Sequence, residues 1–103
     1  MSDYALHPEA LDDIDDIWQY IANDSVDAAD RAIETIFENI ARLAASPQQG
    51  HRRPDLTSAP LLFWRLYSYL IVYAPAERPL WIIAVIHGQR SPRLMAAILR
   101  ARQ

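Results

Sequence analysis

Three histidines, His7, His51 and His87, are the side chains of this 103-residue sequence that exchange a proton near neutral pH. His87 stands apart by its position. It falls near the end of the strongly apolar stretch 61–90, LLFWRLYSYLIVYAPAERPLWIIAVIHGQR, and Gly88, Gln89 and Arg90 follow it. An imidazole and a guanidinium therefore share the polar tip of an apolar segment. Such an imidazole can serve as a general acid or base, and equally can finish a strand by hydrogen-bonding a nearby carbonyl. The function is expected at this tip. Other chemistries drop out. The absence of cysteine excludes disulfides and thiolate nucleophiles. The three histidines lack zinc spacing. Among Asp12, Asp13, Asp15 and Asp16, Asp12 shares a helical face with Asp15 or Asp16, but no histidine or third carboxylate completes a shell. They read as a solvated acidic face. Neither a metal nor another cofactor is expected.

The elements that position the tip follow from hydrophobic periodicity. Residues 4–7 form a short apolar start, and Pro8 suits the first turn of a helix. Leu11, Ile14, Trp18 and Ile21 recur at three- and four-residue steps, predicting a helix from about 8 to about 22. Asn23, Asp24 and Ser25 break it and supply an N-cap. Ala29, Ile33, Ile36, Ile40 and Leu43 then predict a second helix from about 26 to about 45, widened by Phe37 and Ala44. The pair makes an antiparallel helical hairpin. Pro47 and Gly50 end it, and a short basic loop, His51 to Leu56, leads into three β-type runs at 61–67, 69–74 and 80–87. PAERP is a hairpin turn between the last two. Ser91 and Pro92 open a final amphipathic helix with Leu94, Ala97, Ile98 and Ala101 on one side.

Length and composition fit one globular domain spanning 1–103, with 51% hydrophobic and 22% charged residues. Arg65 and the 75–79 turn interrupt the longest apolar run, so no membrane span is expected. The leading MSDYALHPEA lacks a secretion signal, and a reducing cytoplasm suits the chain. The formal charge of −3 conceals a division. Residues 1–50 hold two arginines against eleven acids, and residues 51–103 hold eight arginines against two acids, −9 and +6 respectively. No lysine occurs. Either coding bias explains this, or the positive half is built to pair with an anionic partner.

The strands barely alternate. By parity Leu62, Trp64 and Leu66 oppose Leu61, Phe63, Arg65 and Tyr67, and Ile82, Ala84 and Ile86 oppose Trp81, Ile83, Val85 and His87. Both faces are apolar, and a helical hairpin covers one. The last helix or a partner chain must cover the other; a partner is the expectation.

A helical hairpin, Pro47 to Gly50 followed by arginine and Asp55-Leu56, then Phe63-Trp64, Tyr69-Leu70-Ile71-Val72-Tyr73 and Val85-Ile86-His87-Gly88-Gln89-Arg90, together resemble the RelE/ParE toxin superfamily of bacterial type II toxin–antitoxin systems. The similarity covers nearly the whole chain and is closest to the ParE, or plasmid-stabilisation, branch. It implies an α+β fold with a short N-terminal strand, the helical hairpin packed on a small antiparallel sheet, and a C-terminal helix. It also implies a toxin neutralised by a cognate antitoxin, and one of two targets: DNA gyrase for ParE-like members or ribosome-bound messenger RNA for RelE-like ones. Ala74 and Ala84 stand where the family often carries basic residues, and Ser91 where it tends to carry aspartate. The retained polar set is Arg65, Tyr73, His87 and Arg90.

Cleavage of RNA through its own 2′-hydroxyl needs a proton acceptor, a proton donor and positive charge on the phosphate. His87 and Tyr73 are the candidates for the first two, Arg65 or Arg90 for the third. Against this, the chain lacks a dense basic cluster and its net charge repels RNA. The leading expectation is therefore a ParE-like toxin that binds and inhibits gyrase without catalysis, with a RelE-like endoribonuclease or a non-toxic interaction module as alternatives. Arg52, Arg53, Arg65, Tyr67, Trp81, His87, Arg90 and Arg93 are the expected contacts to target or antitoxin. The aromatics Trp64, Tyr67, Tyr69, Tyr73 and Trp81 read as core or partner-facing rather than as a base-stacking platform. The antitoxin should carry an acidic, apolar tail, and no small-molecule substrate is expected.

Overall fold

The computed structural model describes residues 3–103; Met1 and Ser2, which the reading of the leading segment includes, lie outside them. The order is β1 (Tyr4–Leu6), α1 (Pro8–Ala22), α2 (Val26–Ala45), a 3-10 turn (Pro47–Gln49), β2 (Leu62–Leu66), β3 (Tyr69–Ala74), β4 (Leu80–His87) and α3 (Pro92–Arg102). The sheet runs β1-β4-β3-β2, antiparallel except that β1 lies parallel to β4. This is the expected α+β architecture of the RelE/ParE type, with short N-terminal strand and C-terminal helix.

Local chemistry starts the helices as the sequence predicts. Pro8 opens α1, and His7 Nδ1 accepts from Glu9 N at 3.0 Å, so this histidine is a cap. Ser25 caps α2 through Ala28 N, and Ser91 caps α3 through Leu94 N. The buried stripe of α1 is Ala10, Ile14 and Ile17, and Leu11, expected on it, is 47% exposed. The residue lost from the stripe is replaced by Ala10, whose small side chain lets α1 approach the sheet closely.

The sheet has a core on each side. Ile14, Ile36, Ile40 and Leu43 of the helical hairpin pack on Leu62, Ile71, Tyr73, Leu80, Ile82 and Val85. On the other side Met95 and Leu99 of α3, with Leu56 and Leu61 of the 51–61 loop, cover Phe63, Leu70, Val72, Ile83, Ala84 and Ile86. The expectation that a partner chain closes the second face is thus corrected. Four large side chains of the same chain close it, each contributing about 1.5–3 kcal/mol of transfer free energy.

The parity reading of β4 is corrected as well. Val72 pairs with Ala84 and Tyr73 with Ile82, so the register shifts by one residue at a β-bulge. Ile83 and Ala84 both face α3, while Ile82 and Val85 both face the helical hairpin. Every residue beyond the bulge changes sides, His87 included.

Two polar devices pin the layers. Asn39, buried in α2, accepts from Trp64 Nε1 at 3.1 Å and from Arg42 Nη2 at 3.0 Å, and donates to Thr35 O at 2.8 Å. Tyr73, fully buried, donates to Pro47 O at 2.6 Å and accepts from Gly50 N at 2.9 Å. A Cβ at Gly50 would lie 2.6 Å from that hydroxyl and 3.0 Å from Phe63 O, which is why this position takes glycine although its φ is −71°.

Candidate partner-binding site

Because the bulge turns His87 toward the helical hairpin, it lies over Tyr69, its register partner, with ring centroids 5.4 Å apart and planes near perpendicular. The backbone then reverses, and Gln89 N donates to His87 Nδ1 at 3.1 Å. Nδ1 is the acceptor, so the neutral ring carries its proton on Nε2. Arg90 N donates to His87 O at 3.1 Å, and both residues border the same cavity. Together with Asp16 and Tyr20 of α1, these side chains line a cavity of about 380 Å³. Desolvation, and secondarily the nearby Tyr20, raise the Tyr69 hydroxyl above the usual phenol value.

Tyr69 also borders a neighbouring trough of about 510 Å³, floored by Ala28, Ala32 and Thr35 of α2 and closed by Tyr67. Tyr67 begins the two-residue β2–β3 hairpin with φ 55° and is 65% exposed, while Tyr20 is 76% exposed. A two-residue hairpin takes positive φ to match the strand twist, a conformation disfavoured for a bulky side chain. Three tyrosines thus follow one another along a partly open cleft between α1, α2 and the sheet end.

Asp13, which lines the cavity, is held by an ion pair. Arg102 Nη1 donates to Asp13 Oδ2 at 2.6 Å and Arg102 Nη2 to Oδ1 at 3.0 Å, with side chains only 11% and 15% exposed. Asp13 Oδ2 also accepts from Val85 N at 3.0 Å, and Arg102 donates to Ile83 O at 3.1 Å and approaches Glu9 at 3.2 Å. Pairing of β4 with β1 ends at Ile82, and the pair meets backbone groups left over beyond it. Asp13, expected in a solvated face, is therefore a structural anion. Its hydrogen bonds raise the Arg102 guanidinium pKa, against desolvation, which lowers it.

The polar set named from sequence does not converge. His87 and Arg90 share the cavity. Tyr73 lies four residues along β3 from Tyr69, in the core, and burial raises its hydroxyl pKa while the Gly50 hydrogen bond lowers it. Arg65 pairs with Leu70 and has the parity of Phe63, which places it on the α3 face, exposed. Trp81 packs at the opposite end of the sheet, its ring 5.9 Å from His7. Arg53 makes a bidentate pair with Asp55 at 2.9 and 2.8 Å; Arg52 is exposed beside it, and Arg93 is exposed in the first turn of α3. Ala84, at a position the family often makes basic, is fully buried beneath α3, and Ala74 packs partly against the same core. Sequence reasoning did not name Asp16, Tyr20 or Arg102 as site residues. The i, i+4 spacing of Asp16 and Tyr20 was legible, but nothing local said what faced them.

The family described as ParE toxin of type II toxin-antitoxin system, parDE, matches residues 4–92, from the first strand to the start of α3. No curated protein matches the chain.

Proposed function

The chain belongs to the ParE toxin family, and with that as premise we propose that this toxin acts by binding DNA gyrase, without chemistry of its own, until its antitoxin covers it. The observation that carries the choice is the separation of the polar set. A nuclease would need a proton donor, a proton acceptor and a cation around one phosphate. Tyr73 is committed to Pro47 and Gly50 inside the core, Arg65 lies across the sheet, and only His87 and Arg90 stay together. The exposed Tyr20 and Tyr67, with the half-buried Tyr69 between them, suit recognition, since the residues that dominate protein interfaces are enriched in tyrosine, tryptophan and arginine.

A second reading is favoured by one feature. The Nε2–H of His87 is free to donate and Arg90 lines the same cavity, which would serve a RelE-like endoribonuclease that replaces Tyr73 by Tyr69. Two assays separate the readings. Purified protein should inhibit gyrase supercoiling and leave messenger RNA intact on translating ribosomes. RNA cutting abolished by His87→Ala, with supercoiling untouched, would reverse the assignment. Expression with and without a cognate antitoxin gene tests toxicity itself. Unaffected growth without that gene would leave a non-toxic interaction module, and the cytoplasm, where gyrase works, is the proposed compartment.

A further inference from the structure

Two opposite charges line the cavity of His87 and do not meet. Asp16, exposed on α1, and Arg90, exposed beyond the end of β4, both border it, yet among the described residues neither takes part in an ion pair. The rest of the lining gives that couple a meaning. Asp13 is already neutralised by the bidentate grip of Arg102, so the cavity offers a ligand one negative and one positive charge. His87 commits Nδ1 to Gln89 N and keeps its Nε2–H. Ile17 and Val85, both buried, are the apolar part of the lining, and Tyr20 and Tyr69 add two aromatic rings. Desolvation, and secondarily Tyr20, raise the Tyr69 hydroxyl pKa, so that phenol stays a neutral donor. At about 380 Å³ the space has the size of a small-molecule site.

We infer that this cavity binds a small zwitterion, a free α-amino acid with an aromatic or large apolar side chain. Its carboxylate pairs with Arg90 and the Nε2–H of His87, its ammonium with Asp16, and its side chain lies against Tyr20, Tyr69 and Ile17. The charge pattern selects this class. A phosphate or nucleotide would satisfy Arg90 and be repelled by Asp16 and by the neighbouring Asp12 and Asp15 of α1. A simple cation would satisfy Asp16 and face Arg90, and a wholly apolar ligand would take water from both charges and return nothing. A zwitterion gives each charge a hydrogen-bonded partner, and charge-assisted hydrogen bonds are the strong ones. A peptide terminus carries only one of the two ionic groups, so the free amino acid is the better match. No bond is made or broken, and the ligand is not a substrate. That an occupied cavity keeps gyrase away rests on the toxin reading above; the binding itself rests on the cavity alone.

The test uses the purified full chain and L-phenylalanine, compared with N-acetyl-L-phenylalanine, L-phenylalaninamide, L-alanine and adenosine monophosphate, and is read by amide NMR shifts. L-phenylalanine is expected to move the signals of residues 16–20, 69 and 87–90. Blocking either end, or removing the ring, is expected to weaken binding about tenfold or more, since each change deletes one of the three contacts. Asp16→Asn should weaken L-phenylalanine about tenfold yet change N-acetyl-L-phenylalanine, which has no ammonium, by less than about twofold; Arg90→Gln should do the same to L-phenylalanine and spare L-phenylalaninamide. Circular dichroism melts check that these exposed substitutions leave the fold intact. Absence of shifts at those residues, equal affinity for a blocked form or for L-alanine, tighter binding of adenosine monophosphate, or variants that weaken every ligand alike overturns the proposal. Gyrase inhibition unchanged by saturating L-phenylalanine refutes the block and leaves the binding standing. A chain that binds L-phenylalanine and does not inhibit gyrase refutes the gyrase reading and leaves this site.

Discussion

Asp13 and Arg102, 89 residues apart in sequence, form a bidentate pair at 2.6 and 3.0 Å that ties the first helix to the last across the bulged strand β4. The pair holds Val85 N–H and Ile83 C=O, and its Asp13 lines the cavity of His87 and Arg90. It couples the cover of the second sheet face to the shape of the candidate site, because α3 is anchored at its far end by the same guanidinium.

Removing one partner should therefore cost more than removing an exposed ion pair. Arg102→Ala leaves the Asp13 carboxylate nearly buried and uncompensated, an expected loss of roughly 2–4 kcal/mol, below the full value for a buried pair because water still reaches both groups. Asp13→Asn keeps an acceptor for Val85 N and should lose less, about 1–2 kcal/mol. Urea unfolding midpoints measure both, and equal losses would contradict this account.

Tyr73 and Gly50 should behave as one unit. Tyr73→Phe leaves Pro47 O and Gly50 N without partners and should cost about 1–3 kcal/mol. Gly50→Ala drives its Cβ onto the same hydroxyl, and the double variant should be less damaged than the sum of the two, by about 0.5 kcal/mol or more. Strict additivity in a double-mutant cycle would show that the contact is not the source.

The same hydroxyl predicts an alkaline limit. Burial raises the Tyr73 pKa in the folded chain, so its contribution is fully present below the ordinary phenol value near 10 and is lost as pH rises through the raised folded value. Ultraviolet titration should find this phenol ionising above that ordinary value, together with the onset of unfolding. Tyr73→Phe should remove the late component.

At low pH the sign reverses for Asp55. Its hydrogen bond to Arg53 lowers its pKa, so the contribution is present above the ordinary carboxylate value and is lost as pH falls through the depressed one. Carboxyl chemical shifts should place its midpoint below that of a free aspartate, and Arg53→Ala should return it. The pair is solvent-exposed, so the fold should hardly notice.

Tyr67 should trade stability against binding. Its positive φ disfavours a bulky side chain by about 1 kcal/mol, and Tyr67→Gly should raise the unfolding midpoint. The same change removes an exposed aromatic from the cleft and should weaken antitoxin binding about tenfold, if the cleft is its site. A glycine variant that binds as well as the parent would remove Tyr67 from the interface.

Much of the architecture was legible before any coordinates. Helix periodicity, the capping serines, the PAERP turn and the apolar strands are local signals, and they place α1, α2, β2, β3, β4 and the start of α3 within a residue or two of where they lie. The order of motifs was enough to identify the family, which the match over residues 4–92 bears out. What escaped were matters of facing. A bulge of one residue in β4 is invisible in a run of Ile, Ile, Ala and Val, because each of those side chains is equally at home on either side of a sheet buried on both faces. That residue decides that His87 meets Tyr69 and α1, away from Arg65. Likewise Asp13 is one of four similar aspartates in sequence, and only the return of α3 across the sheet singles it out. Composition and periodicity determined that this chain has two apolar sheet faces and a polar end; long-range packing decided which polar groups share that end, since facing is settled by pairing partners far away along the chain.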